Sequence, residues 1–190
     1  AISGAWVSVD TVFDINQVQY ININSNAASG PETYGVAVLD SCGNRSPISA
    51  EHTTVHLQID LDVCLQEVTL DWTDYFGFPV DSYAVYTGID GAPPTLYDTY
   101  ANNVFTAVQS GLTTFSTYCY FVEAVGPNGQ TARSNQVCVF ANLPELPDYL
   151  YIRYVTVDGP ANSVELSAYV DDQADIDYYR IDRSNAPNGN

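Results

Sequence analysis

The sequence predicts an all-β chain made of tandem β-sandwiches, on three observations. Short stretches alternate apolar and polar side chains, with the two-residue period of a half-buried strand. The composition favours strands, with 15 Tyr and no apolar stripe held at helical spacing. Clusters of Gly, Pro and Asn separate the alternating stretches at intervals usual for a sandwich.

Taken in order, the first residues already read as strand, from Trp6 to Val9. Tyr34, Val36, Val38 and Asp40 share one face of a second strand, and residues 52–55 read as a third. Residues 68–72, Val-Thr-Leu-Asp-Trp, alternate cleanly, and residues 82–86 form the next strand. A Gly-Ala-Pro-Pro loop at 91–94 leads into a short strand at 95–100. Residues 117–125 are long and alternating, with Tyr118, Tyr120, Val122 and Ala124 on one face. The turn Gly-Pro-Asn-Gly at 126–129 follows, then a strand at 134–140.

The pattern repeats. Tyr34, Val36, Val38 and Asp40 align with Tyr118, Tyr120, Val122 and Ala124 at an offset of 84, which sets Asn44 on Asn128. Val164, Leu166 and Ala168 align with Val68, Leu70 and Trp72 at 96, as Tyr179 and Ile181 do with Tyr83 and Val85. A period of that size suits one sandwich. The expected organisation is the later strands of a partial sandwich in residues 1–58, a complete one in 59–145, and the early strands of another in 146–190. Residues 142–147 hold two prolines and read as a stiff, extended linker. Neither end reads as a natural terminus, so a segment of a longer chain is expected. Setting Ala1 after Asn190 in a repeating array would join the two partial sandwiches into a whole one.

Charge narrows the partners. There are 23 Asp and Glu against five Arg and no Lys, a net charge of −18. That excess disfavours nucleic acid and anionic lipid, which need a basic face. No apolar run reaches the 18 residues of a spanning helix, so direct membrane insertion is not expected.

The four cysteines form no C-x-x-C pair. Cys119 and Cys138 flank one expected hairpin, which makes them a disulfide pair. Cys42–Cys64 then follows by elimination, with a partner for Cys42 outside this segment, or free thiols, as the alternatives. Disulfides imply an oxidising, extracellular location.

Residues 59–145 resemble fibronectin type III domains, within the wider immunoglobulin-like class. Trp72 matches the core Trp of an early strand. Leu112, six residues before Tyr118, resembles the tyrosine-corner pattern, in which the Tyr hydroxyl bonds back to the backbone. Thr114 stands where the family usually has Pro. The resemblance makes Trp72, Tyr83, Leu112 and Tyr118 core residues. A narrower resemblance is to very large surface proteins of Bacteroidetes, some gliding-motility-associated or type IX-secreted. It rests on Asp-Ser-Cys-Gly-Asn-Arg-Ser at 40–46 with His-Thr-Thr-Val at 52–55, on residues 118–122 with 134–138, and on Tyr-Leu-Tyr at 149–151. It implies secretion to the cell surface and roles in filaments, adhesion or gliding.

Candidate chemistry is sparse. His52 and His56 are the only histidines, and a strand would hold them about 13 Å apart, too far to share a zinc ion. No nucleophile elbow and no distinctive carboxylate pair stand out, so no enzyme and no catalytic residue are expected. Asp171, Asp172, Asp175 and Asp177 form the densest acidic run and are the candidate calcium ligands, with Asp60 and Asp62 a weaker pair. Calcium is the single cofactor the sequence offers. The tyrosines suggest a sugar platform or, more simply, sandwich core. Thr11, in Asp-Thr-Val, resembles a Bacteroidetes O-glycan site, and Asn44-Arg45-Ser46 fits the N-glycan pattern.

The expected function is a semi-rigid tandem spacer in a long extracellular filament or surface protein. A carbohydrate- or host-surface-binding module beside an enzyme is one alternative, and a self-assembling filament subunit is the other. The expected partners are neighbouring domains, adjacent subunits or surface glycans.

Overall fold

The computed structural model describes residues 6–145, 147–160, 163–172 and 174–184, and among them the chain forms twelve strands and no helix. The first two strands are short, β1 (Thr33–Tyr34) and β2 (His52–Thr53), and they pair antiparallel. A complete sandwich follows. One sheet orders β3 (Leu57–Asp62), β4 (Glu67–Trp72) and β7 (Thr106–Gln109) as β3-β4-β7. The facing sheet orders β10 (Val137–Ala141), β8 (Ser116–Val125), β5 (Ser82–Ile89) and β6 (Thr95–Ala101) as β10-β8-β5-β6. The short β9 (Thr131–Arg133) pairs with the end of β8. A separate hairpin, β11 (Leu150–Asp158) and β12 (Ser163–Val170), comes last.

Turn chemistry explains these hairpins. Asp62 accepts hydrogen bonds from the Cys64 and Leu65 amides, both at 2.9 Å, which closes the β3–β4 turn. Asp90 and Gly91 both have positive φ, 51° and 81°, and form a tight turn in the β5–β6 connection, closed by the Ala92 amide donating to the Ile89 carbonyl at 2.9 Å. The Asp90 carboxylate also accepts from the Thr117 amide at 2.7 Å and so anchors the start of β8.

The alternation read from the sequence is the core. Val68, Leu70 and Trp72 from one sheet face Tyr83, Val85, Tyr120, Val122 and Ala124 from the other, all buried. Trp72 lies 5.9 Å from the Tyr83 ring and 5.7 Å from the Tyr100 ring. Leu112 and Tyr118 are buried at one end, where the Tyr118 hydroxyl accepts from the Thr113 amide at 2.8 Å. Thr114, in the place of the usual Pro, donates to the Leu143 carbonyl at 3.1 Å and accepts from its amide at 3.2 Å. Leu143 is buried by this pairing. The expected linker is therefore shorter than the sequence suggests, because its first residues belong to the sandwich. Leu146 lies outside the described residues, as do Ala1 and Asn190, at which the array was expected to join.

Cys119 and Cys138 sit directly opposite each other on β8 and β10 and form a disulfide of 2.08 Å. The expected Cys42–Cys64 bridge is not formed, because each residue is free and exposed at the tip of a different hairpin. Cys42 lies in the turn after Asp40, and Cys64 in the β3–β4 turn, beyond the six residues of β3.

The hydrogen bonds correct the register of the first repeat. The Val36 amide donates to Ser49 Oγ, the Ser49 amide to the Val36 carbonyl, and Ser49 Oγ to the Ala50 carbonyl. Val122, Ser134 and Asn135 make the same three bonds. Asp40, Gly43 and Asn44 close their turn as Gly126, Gly129 and Gln130 close theirs. Val36 thus matches Val122 and Tyr34 matches Tyr120, an offset of 86 rather than 84. In this register Thr33 and Thr53 occupy the places of Cys119 and Cys138, and their hydroxyls hydrogen-bond at 2.8 Å where the other hairpin has its disulfide.

The second repeat keeps its offset of 96. Val157 pairs with Val164 as Leu61 pairs with Val68, and Val155 with Leu166 as Ile59 with Leu70. The match runs from Asp158–Ser163 to Tyr154–Ser167 and ends at the bulge between Ile152 and Tyr154.

Candidate functional site

The best-formed feature outside the sandwich core is the junction between residues 28–54 and the central sandwich. β2 runs directly toward β3 with only residues 54–56 between them, and Val55 and His56 are buried. So short a connection leaves little slack, and polar contacts fix it on both sides. Thr53 donates to the Phe76 carbonyl at 2.6 Å and accepts from the Phe76 amide at 3.4 Å, which extends pairing across the junction. His52 Nδ1 lies 2.6 Å from the Tyr75 hydroxyl, and the two rings meet edge-on at 5.9 Å. His56 Nε2 donates to the Ala28 carbonyl at 3.2 Å.

Gly77 is what permits this approach. A Cβ there would stand 2.5 Å from His52 Nδ1 and 2.6 Å from the Tyr75 oxygen. Nearby, the Tyr83 hydroxyl donates to Asp74 at 2.6 Å and accepts from the Tyr75 amide at 2.9 Å. Burial, reinforced by Asp74, raises the Tyr83 hydroxyl far above its ordinary value, and burial likewise raises Tyr75. Across the sandwich, Asn135 clamps β3 by accepting from the Leu57 amide at 2.7 Å and donating to its carbonyl at 2.9 Å.

The sequence candidates fall in scattered places. The candidate calcium ligands are not gathered: among the described residues, no group of three or more His, Cys, Asp or Glu is placed to hold a metal ion. Asp171 is buried, and its carboxylate accepts from the Asp148 amide at 3.0 Å, a structural bond at the base of the β11–β12 hairpin. Gln173, within that acidic run, lies outside the described residues. Asp62 is committed to its turn. Thr11 is exposed, with its amide bonded to the Asp10 carboxylate. Asn44 is exposed too, but its side-chain nitrogen donates to Asp40 at 2.8 Å and closes the turn. His52 and His56 serve two separate contacts, as described above.

Aromatic rings on the outer face of β5 and β8 pack on one another. Tyr86 stacks on Phe121 at 4.6 Å, and the Arg133 guanidinium covers the Phe121 ring at 3.4 Å from its centre. A shallow cleft lies beside the junction, between residues 74–80 and Asn102. Its one carboxylate, Asp74, is engaged by Tyr83.

The strand order, three strands against four with β9 at the edge, makes the central sandwich fibronectin type III-like. Neither a family model nor a curated protein matches the chain. Solved structures do resemble it. A fibronectin type III-like protein from Clostridium thermocellum is 27% identical, covering 47% of this chain and 90% of its own, with a TM-score of 0.38. The fibronectin type III domain of the human collagen α-1(XX) chain is 19% identical, covering 50% of this chain and 85% of its own, with a TM-score of 0.42. A pectate lyase from Erwinia chrysanthemi, solved with tetragalacturonic acid, is 19% identical over 45% of this chain, with a TM-score of 0.41. The match spans 28% of that lyase's length.

Sequence reasoning did not find the junction. Its signal was present in the aromatic run Tyr75-Phe76-Gly77-Phe78, where a glycine among rings marks a close approach.

Proposed function

We propose that this chain is a structural segment of an extracellular surface protein or filament, in which sandwiches follow one another at a stiff joint. The observation that carries the reading is the junction. A flexible tether would need slack and few cross-contacts, whereas here residues 52–56 are bonded to Phe76, Tyr75 and Ala28. The Cys119–Cys138 disulfide suits an oxidising compartment. No helix among the described residues is long and apolar enough to cross a membrane. The resemblance to Bacteroidetes surface proteins points to the same setting, with adhesion or gliding as the larger context.

Small-angle X-ray scattering at high dilution tests the reading. The unaltered chain should show one narrow distribution of interatomic distances, and Gly77→Val should broaden it. A broad, tether-like profile in the unaltered chain would overturn the stiff joint. Binding to any sugar on a glycan array would transfer the lead to a carbohydrate-binding role.

A further inference from the structure

Residues 74–80 and Asn102 line a shallow cleft of about 390 Å³, all of it within the central sandwich. That volume lies in the range usual for sites that receive small groups. Three aromatic rings belong to its lining. Tyr75 and Phe78 pack with their centres 4.4 Å apart. Phe76 is 63% exposed, yet its backbone is bonded to Thr53 through both amide and carbonyl, so a large ring is held in place at the surface.

The polar side chains of the cleft offer acceptors. Asp74 takes the Tyr83 hydroxyl on Oδ1, and its Oδ2 makes no hydrogen bond among the described residues. Asn102 donates from Nδ2 to the Val80 carbonyl at 2.9 Å, which leaves its Oδ1 to accept. Rings, a carboxylate and an amide oxygen together suit a group that is positively charged, donates hydrogen bonds and accepts none. Ammonium and guanidinium groups have that character. Guanidinium suits the rings better, being planar, weakly hydrated and able to stack.

The chain makes this pairing elsewhere with its own arginines. The Arg133 guanidinium lies 3.4 Å from the centre of the Phe121 ring, and that of Arg153 lies 4.6 Å from the centre of the Tyr169 ring. Between Arg45 and Arg153 the sequence holds no Lys and one Arg, Arg133, which is committed to Phe121. The central sandwich therefore brings no arginine of its own to the cleft, in a chain whose net charge of −18 draws cations toward it.

We infer that this cleft receives the guanidinium of an arginine side chain presented by a partner protein, stacked on the aromatic rings and hydrogen-bonded to Asp74. A shallow site encloses too little of a free small molecule to hold it well, whereas a side chain arrives anchored to a surface of its own.

Amide chemical shifts followed by nuclear magnetic resonance test the inference. The probe is N-acetyl-arginine methylamide, and its citrulline counterpart is the uncharged control of the same shape. The arginine probe should shift the amides of residues 74–78 and Asn102 and reach saturation, and the citrulline probe should bind at least about tenfold more weakly. Asp74→Asn, which still accepts from Tyr83, and Phe76→Ala, which removes an exposed ring, should each weaken the arginine probe about fivefold. Both should leave the melt of the central sandwich unchanged. Asp98→Asn removes an equal charge elsewhere on the sandwich and should leave the affinity as it was. A short serine-rich peptide with one central arginine should bind more tightly than the blocked residue, and weaker binding would overturn the assignment to a protein side chain. The cleft itself loses the role if the shifts spread evenly over the acidic surface, if citrulline binds as tightly as arginine, or if neither Asp74→Asn nor Phe76→Ala weakens binding.

Discussion

Truncating Trp72 to alanine should unfold the central sandwich at ordinary temperatures. Trp72 is 5% exposed and packs on Tyr83 and Tyr100. Removing so large a buried side chain costs about 3–5 kcal/mol, from lost transfer energy and the cavity left behind. For a sandwich of this size each kcal/mol moves the melting temperature by about 4–8 °C, so a fall of about 12–40 °C is expected. Trp72→Phe separates the causes. The indole nitrogen has no hydrogen-bond partner among the described residues, so the ring's packing is lost only in part and no hydrogen bond goes with it. Phe should therefore recover more than half of the loss. Thermal melts followed by far-ultraviolet circular dichroism give the measurement. A melt unchanged by Trp72→Ala would refute the assignment of Trp72 to the core. Equal losses for Ala and Phe would refute the claim that packing carries the effect.

Three further outcomes follow from the same geometry. Reducing Cys119–Cys138, which closes a loop with a sequence separation of 19, should destabilise the sandwich by about 3 kcal/mol; an unaltered melt with both thiols shown free by alkylation would count against this. Tyr83, Tyr120 and Tyr75 all have raised folded-state values, with burial the largest cause in each. Their neutral forms contribute stability that is intact below the unfolded phenol value near pH 10, to order of magnitude, and is lost as pH rises through the folded value. Absorbance at alkaline pH should show exposed tyrosines titrating first and these three only with unfolding, and a single early titration of all tyrosines would contradict it. Gly77→Ala should speed hydrogen exchange at the Thr53 amide while leaving the Val122 amide protected; equal protection of Thr53 in both proteins would remove Gly77 from the junction.

The sequence made the central sandwich legible because its strands are half-buried and short. There, alternation maps directly onto burial, as in Val68-Thr69-Leu70-Asp71-Trp72. Tyr118 was legible for the same reason, with Leu112 at the corner spacing. The repeat was visible, yet its first offset was two residues out. A shift of two keeps every side chain on its own face, so hydrophobic pattern cannot distinguish 84 from 86. The Val36–Ser49 and Val122–Ser134 bonds can. Two other features were hidden for different reasons. The junction depends on the space that Gly77 leaves for His52, and that contact is set by tertiary approach rather than periodicity. The Cys42–Cys64 bridge follows only by elimination once Cys119 and Cys138 pair, and elimination says nothing about which hairpin tip each residue occupies.

The exchange of a disulfide for a threonine pair has a mechanical consequence. Under tension applied through the chain ends, an opened central sandwich could not extend between Cys119 and Cys138, a separation of 19 residues. About 65 Å of contour length would stay locked. The β1–β2 hairpin has Thr33 and Thr53 at the same points, joined only by a hydrogen bond of 2.8 Å, and would yield its whole length. Alternating units of this kind would give a strand that stretches in two stages, the second of which lengthens when the surroundings turn reducing.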